Sequence, residues 1–192
     1  MILEGIQGWV IAVIVVVVLL LWILIWYIKT MNMLRRSEVK VNEAESGIDV
    51  ALTKRFDALT KMLETTKGYA KHEAETLENT IKWRNGVPKE ATLEDKQQFA
   101  DQLNKVASGI NVVVERYPDL KANTMFASLQ NAIMDTEEHL QAARRVYNSN
   151  VSFINRKIVT FPISFVAHKI GMLKKNFFEA EESKTKDVDM KF

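Results

Sequence analysis

The chain has 192 residues, with 26 Lys and Arg against 24 Asp and Glu and no Cys. That length suits one domain with an appendage. The balanced charge, without a basic stripe, argues against a nucleic-acid binder, and the lack of thiols excludes disulfides and thiolate zinc sites. Seven Gly and three Pro leave few turns, which favours long helices over many strands.

Residues 1–8 form a short N-terminal segment. Residues 9–28, from Trp9 to Ile28, then carry no charge. At 1.5 Å per residue a helix of this length covers roughly 30 Å, the hydrocarbon thickness of a bilayer. Trp9 stands at one end and Trp26 and Tyr27 at the other, where amphipathic rings favour the membrane interface. A cleaved signal peptide would want a basic start, a shorter apolar run and a small-residue cleavage site, none of which is present. A retained transmembrane helix is the expectation. Glu4 precedes the span, whereas Lys29, Arg35, Arg36 and Lys40 follow it. The positive-inside rule therefore puts the N-terminus outside and the larger part of the chain in the cytoplasm.

No Gly or Pro lies between Gly8 and Gly47, so the spanning helix is expected to run on into the domain of residues 29–160. Val41, Ala44, Ile48, Leu52, Phe56, Leu59 and Leu63 keep helical spacing, with a soft stop at Gly68-Tyr69. A second helix carries Leu77 and Ile81 and is expected to stop at Asn85-Gly86, ahead of Pro88. The third begins after Thr92, with Asp95 in its first turn and a stripe of Phe99, Leu103, Val106, Ile110 and Val113 before Pro118. The fourth is expected from about Leu120 to Thr160, closed by Pro162. These lengths predict an all-α fold: an N-terminal transmembrane helix continuing into an antiparallel up-down four-helix bundle.

Residues 161–178 follow as a short amphipathic helix with Ile163, Val166, Ile170, Leu173 and Phe177 on one face and Lys169, Lys174 and Lys175 among the others. Such a helix either lies in the membrane interface or caps the open end of the bundle. Residues 179–192, ending at Phe192, are mixed-charge and apolar-poor, as in a mobile tail.

Catalytic patterns are broken or missing. The stretch HEAET at His72 starts like a zinc-protease motif, but Thr76 stands where the second His is needed. His139 and His168 are isolated in sequence. The pairs Glu137-Glu138 and Glu181-Glu182 are adjacent, so on a helix they diverge. No phosphate-binding glycine loop or serine elbow can be written through these residues. Trp83 between Lys82 and Arg84 is too little for a nucleic-acid platform. No enzyme activity, cofactor or metal is expected.

What remains is a polar row in TEEHLQAARRVYNSNVSFIN. Glu137, Gln141, Arg144, Asn148 and Asn155 flank the stripe that holds Tyr147, and Asp49 and Arg55 border the first helix's stripe similarly. If these two helices are antiparallel neighbours, Glu137 or Arg144 meets Arg55 or Asp49. The row reads as a network inside the bundle, as a docking face, or as a ligand pocket.

The same residues resemble the LemA family of bacterial membrane proteins. Ile48 to Leu77, IDVALTKRFDALTKMLETTKGYAKHEAETL, is similar to its first signature, and Leu129 to Pro162 to its second. The family's Thr-Glu, Arg, Tyr-Asn, second Tyr-Asn and Phe-Pro are met by Thr136-Glu137, Arg144, Tyr147-Asn148, Ile154-Asn155 and Phe161-Pro162. FFEAEE at Phe177 to Glu182 matches the usual tail. Ile154 replaces the second Tyr, and Leu59-Thr60-Lys61 lacks a proline common there, which should leave the first helix straighter. The resemblance implies a helical bundle on one anchor in the bacterial inner membrane, with no established enzymatic activity. It also hints at a membrane metalloprotease as partner, and at magnetosome membranes in one branch. Two functions then compete. One is a scaffold that recruits a protein partner or further copies. The other is a membrane-shaping protein that grips lipid through the anchor and residues 162–178.

Overall fold

The computed structural model describes residues 2–178 other than 82, 84, 85 and 89, with side chains from residue 8 onward. The expected tail 179–192, with Phe192, and Asn85 of the expected helix stop lie outside the described residues. Among the described residues the fold is all-helical. The elements are α1 (Ile2–Lys67), α2 (Lys71–Glu78), α3 (Leu93–Arg116), α4 (Pro118–Lys121), α5 (Thr124–Val159) and α6 (Ile163–Lys169). The described residues form two compact units, one of residues 2–41 and 150–176, the other of residues 42–149 and 177–178.

In the first unit α1 is exposed from Gly8 to Ile25. The stretch is long and apolar enough to cross a membrane, with a mean hydropathy of 3.2 over its window, none of which is buried. Burial begins at Thr30 and continues at Leu34, Ser37 and Val41, the spacing of one helix face. The end of α5 supplies the complementary stripe of Val151, Ile154 and Ile158, and α6 adds Val166 and Ala167. Asn150 Nδ2 donates to the Lys40 carbonyl at 3.2 Å and joins the two helices. Pro162 then ends α5, because a proline offers no N–H and obstructs the preceding turn. The Phe161-Pro162 peptide is cis.

The expected amphipathic helix over 161–178 is corrected here: α6 stops at Lys169 and residues 172–178 are not helical. The cause is local. Gly171 takes φ +68°, its N–H donates to the His168 carbonyl at 3.1 Å, and Met172 N–H donates to the Ala167 carbonyl at 3.0 Å. This is a Schellman stop, completed by the buried Met172. It breaks the expected apolar face: Val166 is buried, but Leu173 is 79% exposed.

The second unit is built on the remainder of α1, on α3 and on the start of α5. Arg55 meets Glu137, and Thr65 meets Met125, so α5 runs antiparallel to this part of α1. Near one end Asp49 meets Lys96, and farther along Met62 shares a cavity of about 100 Å³ with Ala107 and Asn111, so α3 runs parallel to α1. The core holds Ile48, Leu52, Leu59, Leu63, Phe99, Leu103, Ile110, Phe126 and Leu140. The Thr92–Asp95 capping box starts α3: Asp95 N–H donates to Thr92 Oγ1 at 3.2 Å and Thr92 N–H to Asp95 Oδ2 at 3.3 Å. Pro118 ends α3 and opens the single turn of α4. Asn123 Oδ1 caps α5 by accepting from Met125 and Phe126 N–H, so the fourth long helix begins at Thr124 rather than near Leu120.

The expected second helix is also shorter. It ends at Glu78 instead of reaching Gly86, because Thr80 and Ile81 N–H turn back to the carbonyls three residues earlier. Thr80 Oγ1 also takes the Leu77 carbonyl, at 2.7 Å. Leaving the helix lets Ile81 reach the core, where it is 6% exposed, and Trp83 lies on Phe99 with ring centroids 5.0 Å apart. Gly109 admits α2 to α3 at close range, since a Cβ there would sit 2.4 Å from Leu77 Cδ2. The return from α1 to α3 is thus helical for eight residues, and the described residues from Asn79 to Thr92 are not helical.

Candidate interaction site

The polar row lies along α5 and is divided between the two units. In the second, Arg55 Nη2 and Glu137 Oε2 form an ion pair at 2.7 Å. Glu137 Oε1 accepts from Gln141 Nε2 at 2.8 Å. Arg55 is 4% exposed, and its Nε and Nη1 have no hydrogen-bond partner among the described residues. Burial depresses the pKa of its guanidinium; Glu137 opposes this and Arg144 adds to it. Burial likewise depresses that of Arg144, with Glu137 and Asp101 opposing. Two cations, Arg55 buried and Arg144 half-buried, therefore share the field of Glu137.

Asp49 does not face this pair. It meets Lys96, whose Nζ lies 3.0 Å from Asp49 Oδ2 and 2.8 Å from Glu45 Oε1. Lys96 is 3% exposed. Its burial would lower the ammonium pKa, but the bonds to Asp49 and Glu45 outweigh that and raise it. At Asp49 burial wins over the bond to Lys96, and the carboxyl pKa rises. Lys96 and Glu45 are absent from the sequence-based candidates. Their signal was present, because Lys96 falls three residues before Phe99 on the apolar stripe of α3 and Glu45 four before Asp49. Tyr147 is buried, which pushes its phenol up to about 12, Glu45 adding to the effect.

Asn148 and Asn155 hold the chain that returns from α6. In the second unit Phe178 N–H donates to Asn148 Oδ1 at 2.8 Å, and Asn148 Nδ2 donates to the Phe178 carbonyl at 2.9 Å. Arg144 lies over the Phe178 ring, with Cζ 4.7 Å from its centroid, and Gln97 Nε2 donates to the Phe177 carbonyl at 3.4 Å. In the first unit Lys175 N–H donates to Asn155 Oδ1 at 2.9 Å and Asn155 Nδ2 to the Lys175 carbonyl at 2.8 Å. Each asparagine thus binds both backbone groups of one residue, as a neighbouring strand would. Lys175 also reaches Glu38, at 3.5 Å. This pairing is not legible in the sequence, because the partner is backbone and carries no residue-type signal.

Of the remaining candidates, Trp9 is 69% exposed, Trp26 and Tyr27 are half-buried, and Arg36 is exposed. Arg35 pairs with Glu38 at 3.2 Å. No group of three or more His, Asp or Glu side chains that could hold a metal occurs among the described residues.

These features define an all-helical protein with one long apolar N-terminal helix. The model of the LemA family matches residues 44–192, and the chain belongs to that family. It is similar to Protein LemA of Metamycoplasma hominis, with 29% identity over 164 residues that cover 85% of this chain and 75% of that one.

Proposed function

We propose that the chain is a non-catalytic, single-pass protein of the bacterial cytoplasmic membrane, N-terminus outside, whose helical portion is an interaction scaffold in the cytoplasm. The supporting observation is the bare apolar stretch of α1, exposed up to Ile25, with Trp26 and Tyr27 half-buried and the first buried residue at Thr30. Apolar side chains left without protein partners over that length call for lipid as their solvent. Lys29, Arg35, Arg36 and Lys40 beyond it favour the stated orientation. The scaffold recruits a membrane protein, of which a metalloprotease is the example the family resemblance suggests, or further copies of itself. It uses no cofactor. The Glu137–Asn155 row serves as structural network rather than catalytic pocket, since Asn148 and Asn155 are engaged by the chain's own backbone.

The native mass of the full chain in nanodiscs tests the scaffold. A defined assembly of copies supports self-recruitment. A single copy requires a separate partner, which photo-crosslinking from exposed Arg145 in intact membranes should capture. A single copy that captures none contradicts the reading.

A further inference from the structure

We propose that the turn joining α5 to α6 is a second lipid contact, in which Phe161 and Phe165 enter the interfacial layer of an anionic bilayer. The inference rests on the reading that α1 spans that bilayer.

Exposure is the first observation. Phe161 is 83% exposed and Phe165 65%, beside Val159 at 55% and Leu173 at 79%. These are not side chains of a loose segment. Val166 and Ala167 of the same helix are fully buried, and the Schellman stop fixes the far end of α6. The aromatic rings are held outward by a docked element.

Level is the second. Within this unit Asn150 of α5 bonds to Lys40 of α1, and both chains then proceed toward the apolar stretch. Val159 lies nine residues beyond Asn150, and Met31 nine residues before Lys40. At 1.5 Å per residue each advances about 14 Å. The turn carrying Phe161 therefore stands beside the end of the uncharged run at Ile28, the depth at which aromatic rings concentrate in membrane proteins.

Charge is the third. Residues 1–41 and 150–176 hold nine Lys and Arg against only Glu4 and Glu38, whereas the whole chain carries +2. Lys29, Lys169 and Lys174 are exposed at this end. A basic fringe around apolar rings matches an anionic headgroup layer, with lysine ammoniums at the phosphates and rings below them. A soluble protein partner would need these same rings to be clear of lipid, which their level beside the span does not allow. The contact face is also opposite to the one that helical periodicity marks, since Val166 of that stripe faces the protein.

The absence of cysteine makes the test direct. Single variants Thr160→Cys and Val16→Cys of the full chain are labelled with an environment-sensitive fluorophore. They are then reconstituted in vesicles of phosphatidylcholine with or without phosphatidylglycerol, carrying lipids quenched at headgroup or mid-chain depth. The expected result has two parts: mid-chain quenching at Val16→Cys, and loss of fluorescence to headgroup-depth quenchers at Thr160→Cys. This last loss should be larger with phosphatidylglycerol and shrink when Phe161→Ser and Phe165→Ser are added. Quenching at Val16→Cys together with an unquenched Thr160→Cys overturns the proposal and leaves the anchor intact. An unquenched Val16→Cys removes the anchor and the proposal with it. Equal quenching at Thr160→Cys in both lipid mixtures overturns the role given to the basic fringe.

Discussion

An asparagine side chain carries the same donor and acceptor as a peptide group, and Asn148 and Asn155 each use both on one residue of the returning chain. Asn148→Ala strands the Phe178 N–H and carbonyl, which should cost about 1–3 kcal/mol. Asn148→Asp should be no milder, because a carboxylate cannot donate to that carbonyl. Chemical denaturation gives the cost, and hydrogen exchange at Phe178 shows whether the segment has come free. The Arg55–Glu137 pair makes a different demand. Glu137→Ala leaves buried Arg55 facing Arg144 with its counter-charge gone, whereas Arg55→Met fills the space with apolar atoms and leaves a half-exposed carboxylate that water can reach. Glu137→Ala should therefore be the more destabilising, as compared by denaturation midpoints. At high pH, Tyr147 and Lys96 act in one direction. Each has a folded pKa above its unfolded one, so its contribution is whole below the unfolded value and lost as pH rises through the folded value. For Tyr147 that window runs from about 10 to about 12. Tyr147→Phe should lose less stability than the parent chain between those values, read as denaturation midpoints at pH 8 and above 11.

Helix ends show what the sequence makes legible. The start of α3 was readable because Thr92 and Asp95 satisfy its first N–H groups by themselves. The stop near Gly68, the close at Pro118 and the close at Pro162 were readable for the same local reason. The unbroken passage of α1 through Leu59-Thr60-Lys61 follows from the missing proline there. The end of α2 was not readable, since Leu77 and Ile81 keep a helical interval even though Ile81 is buried only after the helix has ended. The end of α6 was written in Gly171, but apolar periodicity carried the reading past it. Two glycines test these accounts with opposite signs. Gly47 lies exposed within α1 with nothing within 4 Å of an added Cβ, so Gly47→Ala should stabilise by about 0.5–1 kcal/mol. Gly171 has the same open space but φ +68°, so Gly171→Ala should cost about 1–2 kcal/mol. Thermal melts of both variants measure the difference. Of the candidate site, the Arg55–Glu137 pair was readable from helical spacing, whereas the Lys96 partner of Asp49 was missed and the backbone held by the asparagines carried no signal.

Across the whole molecule the charge is divided with the fold. Residues 1–41 and 150–176 hold nine basic and two acidic residues, and the rest of the chain 17 basic and 22 acidic. A net charge of +2 conceals this, because the balance that argued against nucleic acid also hid a basic collar next to the apolar stretch of α1. The family assignment rests on residues 44–192, most of the chain beyond that stretch. On the proposed reading, α1 holds the protein in a bilayer. Washing membranes that carry the full chain with alkaline carbonate tests it most directly, since that treatment strips peripheral proteins and leaves spanning helices in place. The chain should stay in the membrane pellet and leave only with detergent. Release into the wash would contradict the anchor, and with it the scaffold and the second lipid contact.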